Sequence, residues 1–181
     1  MKLVIGYFGP YLSIKQNISQ LVVEKLSGID CPKILFPVCY DKKAFLKPLY
    51  QYKPDVYLIL AHNPKGKIIQ VELRGNNERV DIKNKNSATK PILKSGLKYE
   101  VASFKPKLVK NMIYSENAGH YVCNFCIYTI LREVRLKKLK TRLCFLHIPG
   151  KYGPGRAFRD IKTFYNPILN LKKSWRDSLT I

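Results

Sequence analysis

Cys123, Cys126, Cys144 and His147, with Glu72 upstream, are the residues whose types and spacing could do chemistry. Two chemistries compete for them. Cys123-x-x-Cys126 and Cys144-x-x-His147, separated by 17 residues, have the spacing of a four-ligand zinc site. Structural zinc sites usually sit in polar, Gly-containing turns, whereas Cys126 falls inside an apolar helical pattern and Cys144 in the middle of an apolar run. Both are also readable as small buried hydrophobes. In the other chemistry Cys123 is a nucleophile and His147 its base. A thiol at a helix amino terminus has its thiolate favoured by the helix dipole, and Gly119 supplies a flexible approach. Glu72 would orient the imidazole, completing a Cys-His-acid arrangement. No metal or other cofactor is expected on this second reading.

The elements that must position these residues follow from apolar periodicity. Residues 2–8 (KLVIGYF) read as a buried strand ended by Gly9-Pro10, rather than as a signal peptide. Asn17 or Ser19 can cap a helix through LVVEKL that Gly28 closes. KILFPVC (33–39) is a second strand whose Pro places it near an edge. A helix from about Asp41 to Tyr50 precedes DVYLILA (55–61), the clearest buried strand. IIQVEL (68–73) and a weaker segment near 79–83 are extended, DIKNKNSATK is an exposed loop, and 105–113 is a short helix. YVCNFCIYTILREV (121–134) is a strong amphipathic helix with Cys123 near its start. RLCFLHI (142–148) is a strand with His147 at its carboxyl end, facing the crevice where open α/β sheets bind ligands. Alternation of this kind predicts an α/β fold: a three-layer sandwich with a mostly parallel twisted sheet, plus a basic carboxyl-terminal tail. The expected domains are an α/β domain over 1–149 and a basic aromatic tail over 150–181.

Charge points elsewhere. The chain has 33 Lys plus Arg against 12 Asp plus Glu in 181 residues, a formal net charge of +21. Such a charge costs the compact state self-repulsion that a polyanion would relieve, nucleic acid first. The densest cluster is Arg132, Arg135, Lys137, Lys138, Lys140 and Arg142. The tail adds Lys151, Arg156, Arg159, Lys162, Lys172, Lys173 and Arg176, interleaved with Tyr152, Phe158, Phe164, Tyr165 and Trp175. Cations alternating with aromatics suit phosphate contact and base stacking. No run of about 18 apolar residues exists, so no membrane span is expected. Five cysteines, an odd count, argue for a reducing compartment and a cytoplasmic protein.

Several segments together resemble pyroglutamyl peptidase I, the pyrrolidone-carboxylate peptidase family of cysteine peptidases, over about residues 1–149. NAGHYVCN matches the nucleophile segment and FLHIP the histidine segment; these are the specific motifs. Phe8-Gly-Pro10-Tyr11 resembles the family's opening motif, Asn17 sits where the family has Asn-Pro, and Lys53-Pro54-Asp55 leads the central strand. VELRGNN falls in register with the segment bearing the catalytic Glu, whereas the Glu78-Arg79 pair fails on distance. The resemblance implies a twisted sheet between helices and removal of an amino-terminal pyroglutamate from peptides. Cys123 would attack the lactam-side carbonyl, His147 shuttle the proton and Glu72 hold the imidazole. Phe8 and Tyr11 would sandwich the pyroglutamyl ring, with Asn17 also placed on the substrate side.

Departures accompany the likeness. The loop after the central strand reads HNPKGK without the Gln of many members, Ile82 stands where an Arg is expected, and KNKNSATKP replaces a proline-bearing Asp-Asn loop. The usual carboxyl-terminal helix is replaced by the basic tail. Weighing a reduced substrate cage and a field of +21, the sequence reading is an RNA-binding protein associated with the ribosome, with ribosomal RNA and ribosomal proteins as partners, on a peptidase-like scaffold whose catalysis is weakened or lost. The alternative is an active cysteine peptidase that removes pyroglutamate.

Overall fold

Continuous apolar runs become the central strands of the sheet, because strands buried on both faces need no polar side. In a computed structural model, residues 1–11, 14–82, 84 and 87–177 are described, the side chains of 169–177 excepted. In chain order the elements are β1 (Leu3–Phe8), α1 (Ile18–Lys25), β2 (Lys33–Phe36), α2 (Lys42–Tyr52), β3 (Val56–Asn63), β4 (Ile69–Glu72), β5 (Arg74–Asn76), β6 (Tyr99–Val101), β7 (Met112–Ser115), α3 (Val122–Leu136), β8 (Arg142–Pro149) and α4 (Pro154–Asp177). The main sheet runs β2-β1-β3-β8-β4-β7, and β5 with β6 forms a separate ribbon. β2, β1, β3 and β8 are mutually parallel; β4 pairs antiparallel with β8 and parallel with β7. The expected α/β class and mostly parallel sheet are therefore found, and β2 is the edge strand its proline suggested.

The period of two along each strand sorts the core into two layers. Leu3, Ile5, Leu58, Leu60, Ile69, Val71, Leu146 and Ile148 meet residues of α1 and α4 on one face. Val4, Tyr57, Ile59, Ala61, Leu143 and Phe145 meet α2 and α3 on the other. His147 follows Phe145 by two residues, and Gln70 and Glu72 alternate with Ile69 and Val71. All three polar residues therefore point toward the α3 layer.

Three expectations need correction. The segment 105–113 is not a helix; it runs irregularly into β7. The helix after β1 is capped by Asn17 as expected, but it ends at Lys25, with Leu26 as its cap, before Gly28. The largest difference is at the carboxyl end. Residues expected as a tail outside the core form α4, and Ala157, Ile161, Phe164, Tyr165 and Ile168 are buried in the core against α1. Their spacing is that of one face of a helix, so the apolar stripe outweighs the surrounding charge. The carboxyl-terminal helix has not been replaced. Among the described residues, no helix is long and apolar enough to cross a membrane.

Candidate active site

β8 carries His147 to the carboxyl end of the parallel strands, in register with Ala61 of β3 and Gln70 of β4. Glu72 stands opposite Phe145, one diagonal step from His147 on the same sheet face. Diagonal neighbours on an antiparallel pair lie within side-chain reach. His147 Nδ1 and Glu72 Oε1 are 2.7 Å apart, with both side chains buried. The ring of Phe145 meets the imidazole edge-on at 5.2 Å. Glu72 Oε2 is buried with no hydrogen-bond partner, so the carboxylate is committed to one contact.

Cys123 is the second residue of α3 and lines a cleft of about 360 Å³ with His147, His62, Asn63, Gln70, Asn117, Gly119 and Tyr121. Two features hold the helix start open. Gly119 has φ +76, a left-handed turn that a Cβ would strain. Tyr121, the N-cap, offers no side-chain cap to the first-turn N–H groups, which leaves them available to an anion. The next residue anchors the helix. Buried Asn124 accepts from Asn76 N at 2.7 Å and donates to Asn76 O and Glu78 O at 2.8 and 2.7 Å. The sequence reading quoted Asn124 in NAGHYVCN without a role; a fully buried amide on an apolar helix face was the available signal.

Burial alone would lower the His147 imidazole. The charge and hydrogen bond of Cys123, reinforced by Glu72, outweigh it and push His147 up to about 10. With Nδ1 engaged by Glu72, the other ring nitrogen is left for the sulfur. His62, in the same cleft, is lowered by burial and by the charge of His147, so the two imidazoles are driven apart in protonation.

The zinc alternative finds no support. Among the described residues, no group of three or more His, Cys, Asp or Glu side chains could hold a metal ion. Cys126 and Cys144 are buried, and burial pushes the Cys126 thiol well up and that of Cys144 up to about 12. They are core side chains.

Phe8, Tyr11 and Asn17, expected on the substrate side, are not among the residues lining the cleft. Phe8 is 4% exposed and packs against Phe36 and Phe45 at 5.6 and 6.2 Å. Asn17 is also buried; its Nδ2 donates to Gly9 O and its Oδ1 accepts from Ser19 N and Oγ. It shapes the loop between β1 and α1. Tyr11, on that loop, is partly exposed.

Comparison with known proteins gives one consistent result. A family profile described as pyroglutamyl peptidase matches residues 1–177. A pyrrolidone-carboxylate peptidase of Saccharolobus islandicus is 29% identical over 168 residues, covering 82% of this chain and 79% of the relative. One from Caldanaerobacter subterraneus is 24% identical, covering 100% and 97%. Among solved structures, a pyrrolidone carboxyl peptidase from Thermococcus litoralis superposes with TM-score 0.78 at 16% identity, covering 96% of each chain. A mutant pyrrolidone carboxyl peptidase from P. furiosus gives 0.77 at 20% identity, covering 94% and 99%.

These matches overturn the reading of an RNA-binding, ribosome-associated protein with relic catalysis. Several of the residues that suggested it are otherwise engaged. Tyr152, Phe164 and Tyr165 are buried in the core, not free to stack on bases. Arg135 makes two 2.7 Å bonds to the buried Glu100 carboxylate. Arg142 lies over Phe104, Arg156 over Tyr152 and Lys162 over Phe158. Arg132 lines a separate cavity with Lys42 and Arg79. Lys137, Lys138, Lys140, Lys151 and Arg159 are exposed. The side chains of Lys172, Lys173, Trp175 and Arg176 lie outside the described residues.

Proposed function

The chain belongs to the pyroglutamyl peptidase family, and from that premise we propose that it is a working cysteine peptidase that removes amino-terminal pyroglutamate from peptides. The observation that carries the reading is the 2.7 Å contact of Glu72 with His147 in the cleft that Cys123 lines. Cys123 is the nucleophile, His147 the general acid and base, and Glu72 the residue that holds the imidazole in place.

A protonated His147 places a cation beside the sulfur of Cys123, and the attacking form of the nucleophile is the thiolate. The thiolate attacks the carbonyl carbon on the pyroglutamyl side of the scissile bond. A C–S bond forms, and the carbonyl π electrons move to oxygen. The first-turn N–H groups of α3, which have no side-chain cap, would receive that oxyanion, and one such donor is worth about 3–4 kcal/mol of transition-state stabilisation. Collapse breaks the C–N bond while His147 gives its proton to the departing amine. Water, deprotonated by His147, then cleaves the thioester, releasing pyroglutamate and restoring the thiolate. Tyr11 would touch the pyroglutamyl ring, a role that the resemblance to the family implies. Phe8 and Asn17 support it from beneath by shaping the loop that carries it. A nucleophilic thiol alongside four further free cysteines suits a reducing compartment, in keeping with the cytoplasm.

The test is release of aminocoumarin from a pyroglutamyl-coumarin amide. Wild type is expected to turn over, and Cys123→Ala to lose more than about a thousandfold. Equal rates for the two proteins would overturn the proposal.

A further inference from the structure

The positive charge around the cleft is not uniform, and its arrangement bears on which peptides the site takes. Two turns meet at the end of the sheet that holds His147. The register of Asn63 with Pro149 sets residues 64–66 beside 150–151, and Gly150 N donates to Asn63 O at 3.0 Å. Lys65, Lys67 and Lys151 stand exposed on these turns and the approach to β4. No ion pair ties any of them among the described residues. No acid occurs between Asp55 and Glu72 or between Glu133 and Asp160, so both turns lack a carboxylate altogether. Glu72 is buried against His147 and shows nothing to solvent.

Near Asn117 and Tyr121, on the other lining of the cleft, carboxylates do occur. Glu116, beside the cleft residue Asn117, pairs with Arg74 at 3.2 Å, and Glu78 lies 3.1 Å from the imidazole of His120. Lys65 follows the cleft residue Pro64, Lys67 precedes Gln70 by three residues, and Lys151 lies two residues past Pro149, the register partner of Asn63. Three exposed lysines without an ion pair among the described residues therefore neighbour that side of the cleft in a molecule of +21. A low-dielectric cleft edged by one sign of charge concentrates ligands of the other sign and raises their on-rate by about 10–10³.

We propose that the preferred substrates are acidic peptides, with aspartate or glutamate side chains in the residues that follow the pyroglutamyl group, steered and held by Lys65, Lys67 and Lys151. This rests on the peptidase reading and specifies its substrate class. The pyroglutamyl group carries no charge of its own, so the selection falls on the departing peptide. Because the lysines are exposed, the preference is electrostatic and salt-sensitive, not a shape fit.

Two pyroglutamyl pentapeptides of equal length, one with acidic and one with basic residues after the first, separate the outcomes. For wild type, kcat/KM is expected to favour the acidic peptide by at least about tenfold at 50 mM salt and by less than about twofold at 500 mM. The Lys65→Glu/Lys67→Glu/Lys151→Glu variant should abolish or reverse the preference while still hydrolysing a neutral pyroglutamyl-alanine peptide. The same number of reversals at Lys2, Lys25 and Lys140, at the opposite end of the strands, should keep most of it. Affinities of both labelled peptides for the Cys123→Ala protein decide the question without turnover. Acidic peptide bound more tightly, and lost with the rim reversals only, supports the proposal. Equal affinities, or equal loss from rim and remote reversals, would overturn it. Failure of the peptidase reading is separate: it shows as no turnover of the neutral peptide by wild type.

Discussion

At the scale of single residues, the proposed chemistry turns on the buried imidazole of His147, between the carboxylate of Glu72 and the thiol of Cys123. Because the fold raises His147 above 6.5, its stabilising contribution is complete below that pH and is lost as pH climbs toward about 10. Thermal stability of wild type should fall across that window, and His147→Gln should flatten the fall in a pH series of melting curves. Activity carries the same signature. The alkaline limb of kcat/KM should lie well above neutrality, and Glu72→Gln should move it down, since burial then acts with less opposition. A limb unmoved by Glu72→Gln would remove the carboxylate from its role. Asn124 works at one remove. Asn124→Ala orphans three backbone groups at about 1–3 kcal/mol each where they stay buried. Denaturant midpoints and kcat should both drop, with KM changing less.

At the scale of elements, what positions the site is a strand end, a helix start and the ribbon that braces the helix. β5 lies so close to α3 that a Cβ on Gly75 would sit 2.4 Å from Tyr128 N, in backbone that cannot yield. Gly75→Ala should cost about 1–3 kcal/mol and misplace the helix that carries Cys123, measurable as lost stability together with lost turnover. Legibility in the sequence followed the same division. β1, β3, β8 and α3 were readable because each is a long apolar run or a strong helical stripe, and Cys123, His147 and Glu72 ride on such elements or directly beside one. β5, β6 and β7 were not. RGN, YEV and MIYS are three or four residues with little apolar pattern, and they become strands only through partners far away in the chain. Phe8 and Asn17 were legible as motif residues, but motif position did not show that both side chains are buried.

At the scale of the whole molecule, charge misdirected the reading. Arginines and lysines at intervals through 150–181 concealed an apolar stripe at 157, 161, 164, 165 and 168, and the segment read as appendage instead of core. Phe164→Ala should cost about 3–5 kcal/mol by chemical denaturation, the penalty of a core cavity and not of a frayed tail. Net charge also acts on the molecule as a unit. With 33 basic and 12 acidic side chains, self-repulsion should ease as salt is raised, and the melting temperature should rise between about 50 and 500 mM salt. The peptidase proposal stands or falls on whether the bond is cut through Cys123. Rapid acid quench of wild type turning over a pyroglutamyl peptide, followed by peptide mapping, tests it directly. A pyroglutamyl thioester on Cys123, absent from His147→Ala, is the predicted result. Turnover with no adduct, or with the adduct on Cys31 or Cys39, would contradict it.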